Sequence, residues 1–150
     1  MEREMTQTTA RRIAKDCLAV RVRLLNRVVT GVYDDVLRPL GIKVSQLNVL
    51  VVVANYDSPT PTKIGKVLHM EKSTLSRNVD RMVARGWLRI ATGKDVRTHR
   101  VTITPKGRAL LEKSLPLWQQ AQEESEALLG ERVTRAVCQA ADRIWADGKS

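Results

Sequence analysis

Residues 60–107 read TPTKIGKVLHMEKSTLSRNVDRMVARGWLRIATGKDVRTHRVTITPKG, and the punctuation of this stretch decides the fold. Thr60 is a helix-capping residue and Pro61 suits the first helical position, so a helix is predicted to open here. Ile64, Val67 and Leu68 would form its buried side. After only a few residues Leu75, Val79, Met82 and Val83 recur at i, i+4, i+7 and i+8, the spacing of a second amphipathic helix. Gly86 suits a left-handed C-cap, with Trp87 as the apolar contact that follows it. Leu88–Ala91 and Arg100–Ile103 read as two short strands joined by a polar, basic tip over Thr92–His99. Thr104-Pro105 repeats the cap-plus-proline signal and opens another helix. The order is helix, tight turn, helix, hairpin.

Charge is concentrated in the same stretch. From Thr60 to Arg108 there are twelve Lys/Arg and three acids, a net +9 of the chain's formal +10. The remaining residues carry fourteen bases and thirteen acids and are nearly neutral. A basic charge packed into one third of a chain points to a polyanionic partner.

Outward from this segment the pattern is helical. Ile13, Cys17, Val20, Leu24 and Val28 recur every three or four residues, with Ala14, Leu18, Leu25, Val29 and Val32 beside them, so a long helix is predicted over residues 10–37. Arg38-Pro39-Leu40-Gly41 ends it. A second helix is predicted from Ser45 to about Asn55. The run Val49–Val53 would also pass as a buried strand, because short apolar runs are ambiguous; the flanking turns favour helix. Leu110, Leu111, Leu115, Leu117 and Trp118 follow Pro105 on a helix with an expected kink at Pro116. Beyond Gly130, Val133, Ala136, Val137, Ala140, Ala141, Ile144 and Trp145 make one stripe. These terminal helices carry more apolar surface than a 150-residue monomer covers easily, and a two-fold helical dimer is the expected outlet.

Other classes find little support. The chain has no Phe and 3% aromatics, so aliphatic residues must build the core, which suits helices better than a β-sandwich. No run of eighteen apolar residues suggests a membrane span, and the polar start MEREMTQTTARR lacks an apolar signal core, so a cytoplasmic protein is expected. Cys17 and Cys138 lie far apart without metal-type spacing, and His69 and His99 stand alone, so neither metal nor cofactor is expected. There is no nucleophile motif, phosphate loop or paired catalytic carboxylate, and an enzyme is not expected.

The chain resembles the MarR family of winged helix-turn-helix transcriptional regulators, from roughly Ala10 to Ala146. The most specific match is the wing, Asp95-Val96-Arg97 followed by a strand and by Thr104-Pro105-Lys106-Gly107, the family's D-x-R and T-x-x-G pattern. Lys72-Ser73-Thr74-Leu75-Ser76-Arg77-Asn78-Val79 is similar to the start of its recognition helix. Leu40-Gly41-Ile42 with Gln46 and Leu50 matches the entry into the second helix. Lys43 departs from the capping Thr of many members, so Ser45 is the expected cap. Gly65 stands where Ala is more usual, at a cost in helix propensity of about 1 kcal/mol.

The resemblance implies a single domain over 1–150, mainly α with a small antiparallel β-hairpin. Residues 45–104 would form the winged helix-turn-helix, with the helix-turn-helix at about 60–85 and the wing at about 88–103. Residues 10–37 and 105–146 would supply dimerisation helices. It further implies that Ser73, Thr74, Ser76, Arg77 and Arg81 face a major groove and that Arg97 reaches the minor groove. Asp95 would hold the wing tip. Lys63, Lys72 and Lys94 complete the expected DNA-binding set; of the bases around the reading face, Lys63, Lys66, Lys94 and Arg100 contact phosphate or only solvate. The expected function is a homodimeric repressor on a pseudo-palindromic operator, released by a small phenolic or anionic effector. Arg21, Arg27, Tyr33 and Trp118 are candidate effector residues. Two alternatives are an oxidant sensor using Cys17 and a basic architectural nucleic-acid-binding protein without effector.

Overall fold

The computed structural model describes residues 1–92, 95 and 98–147. Its elements run α1 (Glu2–Asp16), α2 (Leu18–Leu37), a 3-10 turn (Arg38–Leu40), α3 (Val44–Asn55), α4 (Pro61–Leu68), α5 (Lys72–Ala84), β1 (Leu88–Ala91), β2 (Arg100–Ile103), α6 (Pro105–Leu129) and α7 (Glu131–Asp147). The ambiguous run Val49–Val53 is helical. Its lack of polar positions has a simple cause: α3 is the central element, packed against α2, α4, α5, α6 and β2. Leu47, Val49, Leu50, Val52 and Val53 are all buried, and the narrow exposed side of Asn48, Val51 and Asn55 carries a valine at its centre.

Ser45 is not the cap of α3. The helix starts one residue earlier, with Lys43 at the N-cap position. Lysine has no acceptor to offer an orphan N–H, and the preceding helix supplies one. The Val44 N–H donates to Oδ1 of Asp34 at 2.8 Å, and the Lys43 N–H donates to Oε1 of Gln46 at 3.1 Å. Asp34 thus does from α2 what a capping threonine does locally. Asp34→Ala is expected to lower stability by about 1 kcal/mol, seen as a lower urea midpoint at unchanged slope.

The predicted helix over 10–37 is two helices. It begins at Glu2 and is interrupted at Cys17, whose backbone is extended at φ −67° and ψ 108°. The Arg21 guanidinium spans the break, donating to the carbonyls of Cys17, at 2.9 Å, and Lys15. At the other end of the chain α6 is one helix from Pro105 to Leu129 and holds Pro116 in its interior.

The hairpin pairs Leu88 with Ile103, Arg89 with Thr102, Ile90 with Val101 and Ala91 with Arg100. It is fixed to the body at two places. The Val101 N–H donates to the Pro59 carbonyl at 3.0 Å, which ties β2 to the turn before α4. The second tie explains the T-x-x-G motif. Thr104 Oγ1 caps α6 by accepting from the Gly107 N–H at 3.0 Å, and donates to the Gly86 carbonyl at 2.6 Å. Gly107 is buried against Trp87, where an added Cβ would lie 2.2 Å from the Trp87 carbonyl oxygen. Only a glycine lets α6 approach the end of α5 this closely.

Candidate nucleic-acid interface

The helix-turn-helix is α4 and α5 joined by a tight turn. Thr60 caps α4, accepting from the Lys63 N–H at 3.2 Å. The helix ends on His69 in the left-handed conformation, φ 47° and ψ 41°. The Met70 N–H then donates to the Gly65 carbonyl at 3.0 Å, closing a Schellman-type turn that aims the chain into α5. A histidine takes the position usually given to glycine, at some conformational cost. The far end of α5 is closed in the same way by glycine: Gly86 is left-handed at φ +75°, and the Trp87 N–H donates to the Met82 carbonyl at 2.9 Å.

Between these caps α5 is two-sided. Leu75, Asn78, Val79 and Met82 are buried, while Lys72, Ser73, Thr74, Ser76, Arg77 and Arg81 are exposed. The hydroxyls stand on the first turn and the two arginines follow, four residues apart on one face. This arrangement can present donors and acceptors to base edges while cations meet phosphate. Lys63, Lys66 and Arg100 are also exposed, and none of these bases is held in an ion pair among the described residues. Lys63 Nζ lies over the Tyr56 ring, 5.0 Å from its centroid, so the side chain is steered without being neutralised.

Beside α5 lies a cleft of about 900 Å³ between the helix-turn-helix and the hairpin, lined in part by Lys66, His69, Lys72, Ser76, Asp80 and His99. The chain's two histidines, thirty positions apart, thus share one cleft. Sequence spacing gave no sign of this. No cluster of three or more His, Cys, Asp or Glu is arranged to hold a metal among the described residues.

Of the expected wing residues, Lys94 and Arg97 lie outside the described residues. Asp95 is described, and it closes the turn through its backbone: its carbonyl accepts from the Thr98 N–H at 2.8 Å and from the Thr98 hydroxyl at 2.6 Å.

Two bases in the charged segment are engaged inside the molecule, which charge counting alone could not reveal. The Arg85 guanidinium donates to the Gly41 carbonyl at 2.9 Å and stacks over the Trp87 ring at 5.0 Å. The Lys106 ammonium donates to the Arg85 carbonyl at 2.8 Å.

The four candidate effector residues do not share either described cavity. Arg21 is committed to the α1–α2 break, Arg27 is exposed on α2, and Trp118 is 41% exposed on α6. Tyr33 is half-buried between α2 and α6, and its hydroxyl donates to Oε1 of Gln122. Burial pushes its phenol pKa up, and the nearby Glu126 carboxylate adds to the rise. The Ser125 hydroxyl, beside the phenol, works against the rise. Cys17 is a partly exposed free thiol, and Cys138 is an exposed one on α7.

A capped helix-turn-helix with a polar reading face, followed by an antiparallel hairpin, defines a winged helix-turn-helix DNA-binding fold. Comparison with known proteins names the family: the chain belongs to the MarR family, whose domain matches residues 40–97. The multiple antibiotic resistance protein MarR of Salmonella typhimurium is 30% identical over 93 residues, 61% of this chain and 65% of that protein. The match therefore spans just under two thirds of the curated relative. The M. tuberculosis transcriptional regulator MosR, solved in complex with DNA, is 32% identical with a TM-score of 0.73, covering 87% of this chain and 98% of MosR. A mutant of E. coli MarR complexed with operator DNA shares the fold at 24% identity and a TM-score of 0.75, over 88% and 96% of the two chains. The family is one of transcriptional regulators, not enzymes.

Proposed function

We propose that the protein is a homodimeric, sequence-specific double-stranded DNA-binding regulator, acting as a repressor in the cytoplasm. The observation that carries this reading is the exposed face of α5. Ser73, Thr74, Ser76, Arg77 and Arg81 read the major groove. Lys63 and Lys72 meet phosphate, and the wing with Lys94, Asp95 and Arg97 reaches the adjacent minor groove. Two copies of α5, about one helical turn of DNA apart, match a pseudo-palindromic operator.

The domain division supports pairing. Residues 45–104 form the reading lobe, and residues 10–37 and 105–146 form the dimerisation helices. Leu18 is 72% exposed, Leu24 57% and Ile144 59%, too much apolar surface to leave in water. Charge is complementary as well. Residues 11–27 carry six bases and one acid, a net +5, while residues 119–131 carry four acids and no base, a net −4. Sedimentation is expected to give about twice the 16.9 kDa chain mass, weakening as salt rises. A monomer at every concentration and salt would remove the dimer from this reading.

No single helix among the described residues is long and apolar enough to cross a membrane. Residues 18–40 and 44–55 pass only as a pair bent by 78°, and the second half of that pair is the core helix α3. A small phenolic or anionic effector would release the operator. It does so only by binding more tightly to a dimer whose reading helices are wrongly spaced.

A further inference from the structure

Arg85 is a base in the charged segment whose surroundings do not suit a phosphate contact. It is the C-cap residue of α5, eight residues beyond Arg77, or about 12 Å further along the helix. Its guanidinium is directed to the Gly41 carbonyl, at 2.9 Å, and covers the Trp87 ring. Gly41 is the left-handed residue, φ +65°, that turns the chain from α2 toward α3. A Cβ there would stand 3.0 Å from Arg85 Nη1, so the glycine makes both the turn and the seat for the guanidinium. The Arg85 carbonyl accepts from Lys106 Nζ at 2.8 Å, in the first turn of α6. The last turn of the reading helix is therefore gripped by the turn that joins α2 to α3 and by the start of α6. α6, and the α2 helix that feeds this turn, are the elements assigned to dimerisation.

We propose that Arg85 is a positioning residue for operator recognition. With Lys106 it makes the orientation of α5 follow α2 and α6, so that the dimer helices set the separation of the two reading helices. An effector acting on those helices would then be felt at the DNA through this clasp. The inference rests on the DNA-binding dimer reading above. It separates Arg85 from the bases that meet phosphate: loss of a phosphate contact lowers the salt dependence of binding, whereas loss of a clasp leaves that dependence intact and relaxes geometry.

The test uses an operator selected from random duplex DNA by the wild-type protein, and derivatives with one base pair added or removed between half-sites. Arg85→Ala and the milder Lys106→Gln are titrated on each across a salt series, with circular dichroism to follow the fold. For Arg85→Ala, affinity for the selected operator is expected to fall about tenfold at an unchanged salt slope. Discrimination against the respaced derivatives should fall by a similar factor, and Lys106→Gln should move both in the same direction. A salt slope shallower by about one, with spacing discrimination intact, would make Arg85 a phosphate contact and overturn the proposal. A lower melting temperature with unchanged spacing discrimination would also overturn it, leaving Arg85 a stabilising residue only. Failure of the wild type to select any sequence would sink the DNA-binding reading and this inference with it; wild-type selection with unaltered variants sinks only the latter.

Discussion

Arg77→Ala is expected to weaken binding to the selected operator by roughly 10- to 100-fold, about 1–3 kcal/mol, and to relax preference at one or two base positions in each half-site. The expectation comes from position. Arg77 is exposed on α5, one turn beyond the hydroxyls of Ser73 and Thr74, opposite the buried Leu75, Val79 and Met82. A guanidinium there can approach a guanine edge with two parallel donors, which an ammonium cannot do. Lys63→Ala provides the contrast. Lys63 lies at the start of α4 over Tyr56; on its proposed role as a phosphate contact, its loss should weaken operator and scrambled DNA alike and lower the salt slope by about one. Titration of both variants on both DNAs separates the roles. Equal losses of Arg77→Ala on operator and scrambled DNA would move Arg77 into the phosphate group.

Gly107→Ala is expected to destabilise the protein by about 3 kcal/mol or more, a fall in melting temperature of roughly 10 °C for a chain of this size. The added methyl would stand 2.2 Å from the Trp87 carbonyl oxygen and 2.9 Å from Ile103 Cγ1. The first contact is with backbone, so no rotamer change relieves it. Either α6 moves away from the end of α5 or Trp87 leaves the core. Gly65→Ala should have the opposite sign. At Gly65 in α4 the nearest neighbours of a Cβ are the Met70 carbonyl at 3.4 Å and Leu75 Cδ2 at 3.5 Å, ordinary contacts. The helix-propensity gain of about 1 kcal/mol is then expressed. Thermal unfolding of the two variants side by side checks both signs, and a neutral Gly107→Ala would show that the α5–α6 contact is looser than described.

Most of the reading lobe was legible because its signals are local. A threonine followed by proline marks the starts of α4 and α6, since the hydroxyl and the imino ring act within one turn. Gly86 marks the end of α5 for the same reason. The strands were placed at their observed limits by their flanking turn residues. The start of α3 was misplaced by one residue because its capping acceptor, Asp34, comes from ten positions away. The break at Cys17 carries no proline or glycine, and what stabilises it is a guanidinium reaching back along the chain. The apolar run of α3 could not be assigned by period, since its exposed position, Val51, is itself apolar.

Sequence alone determined that α5 is two-sided and that its segment is strongly basic. The polar face of α5 opposite Leu75, Val79 and Met82 follows from helical spacing, and the basic charge of residues 60–108 from counting. The apolar stripes of the terminal helices were likewise legible from spacing. What only the tertiary structure decided is which of those exposed bases hydrogen-bond to the protein's own backbone. Arg85 and Lys106 look like any other bases in the segment until α2, α5 and α6 meet. Their partners are backbone carbonyls, which every residue carries and which leave no trace in sequence. A close approach of two chain segments, such as α6 on Trp87 at Gly107, is likewise a property of packed backbones.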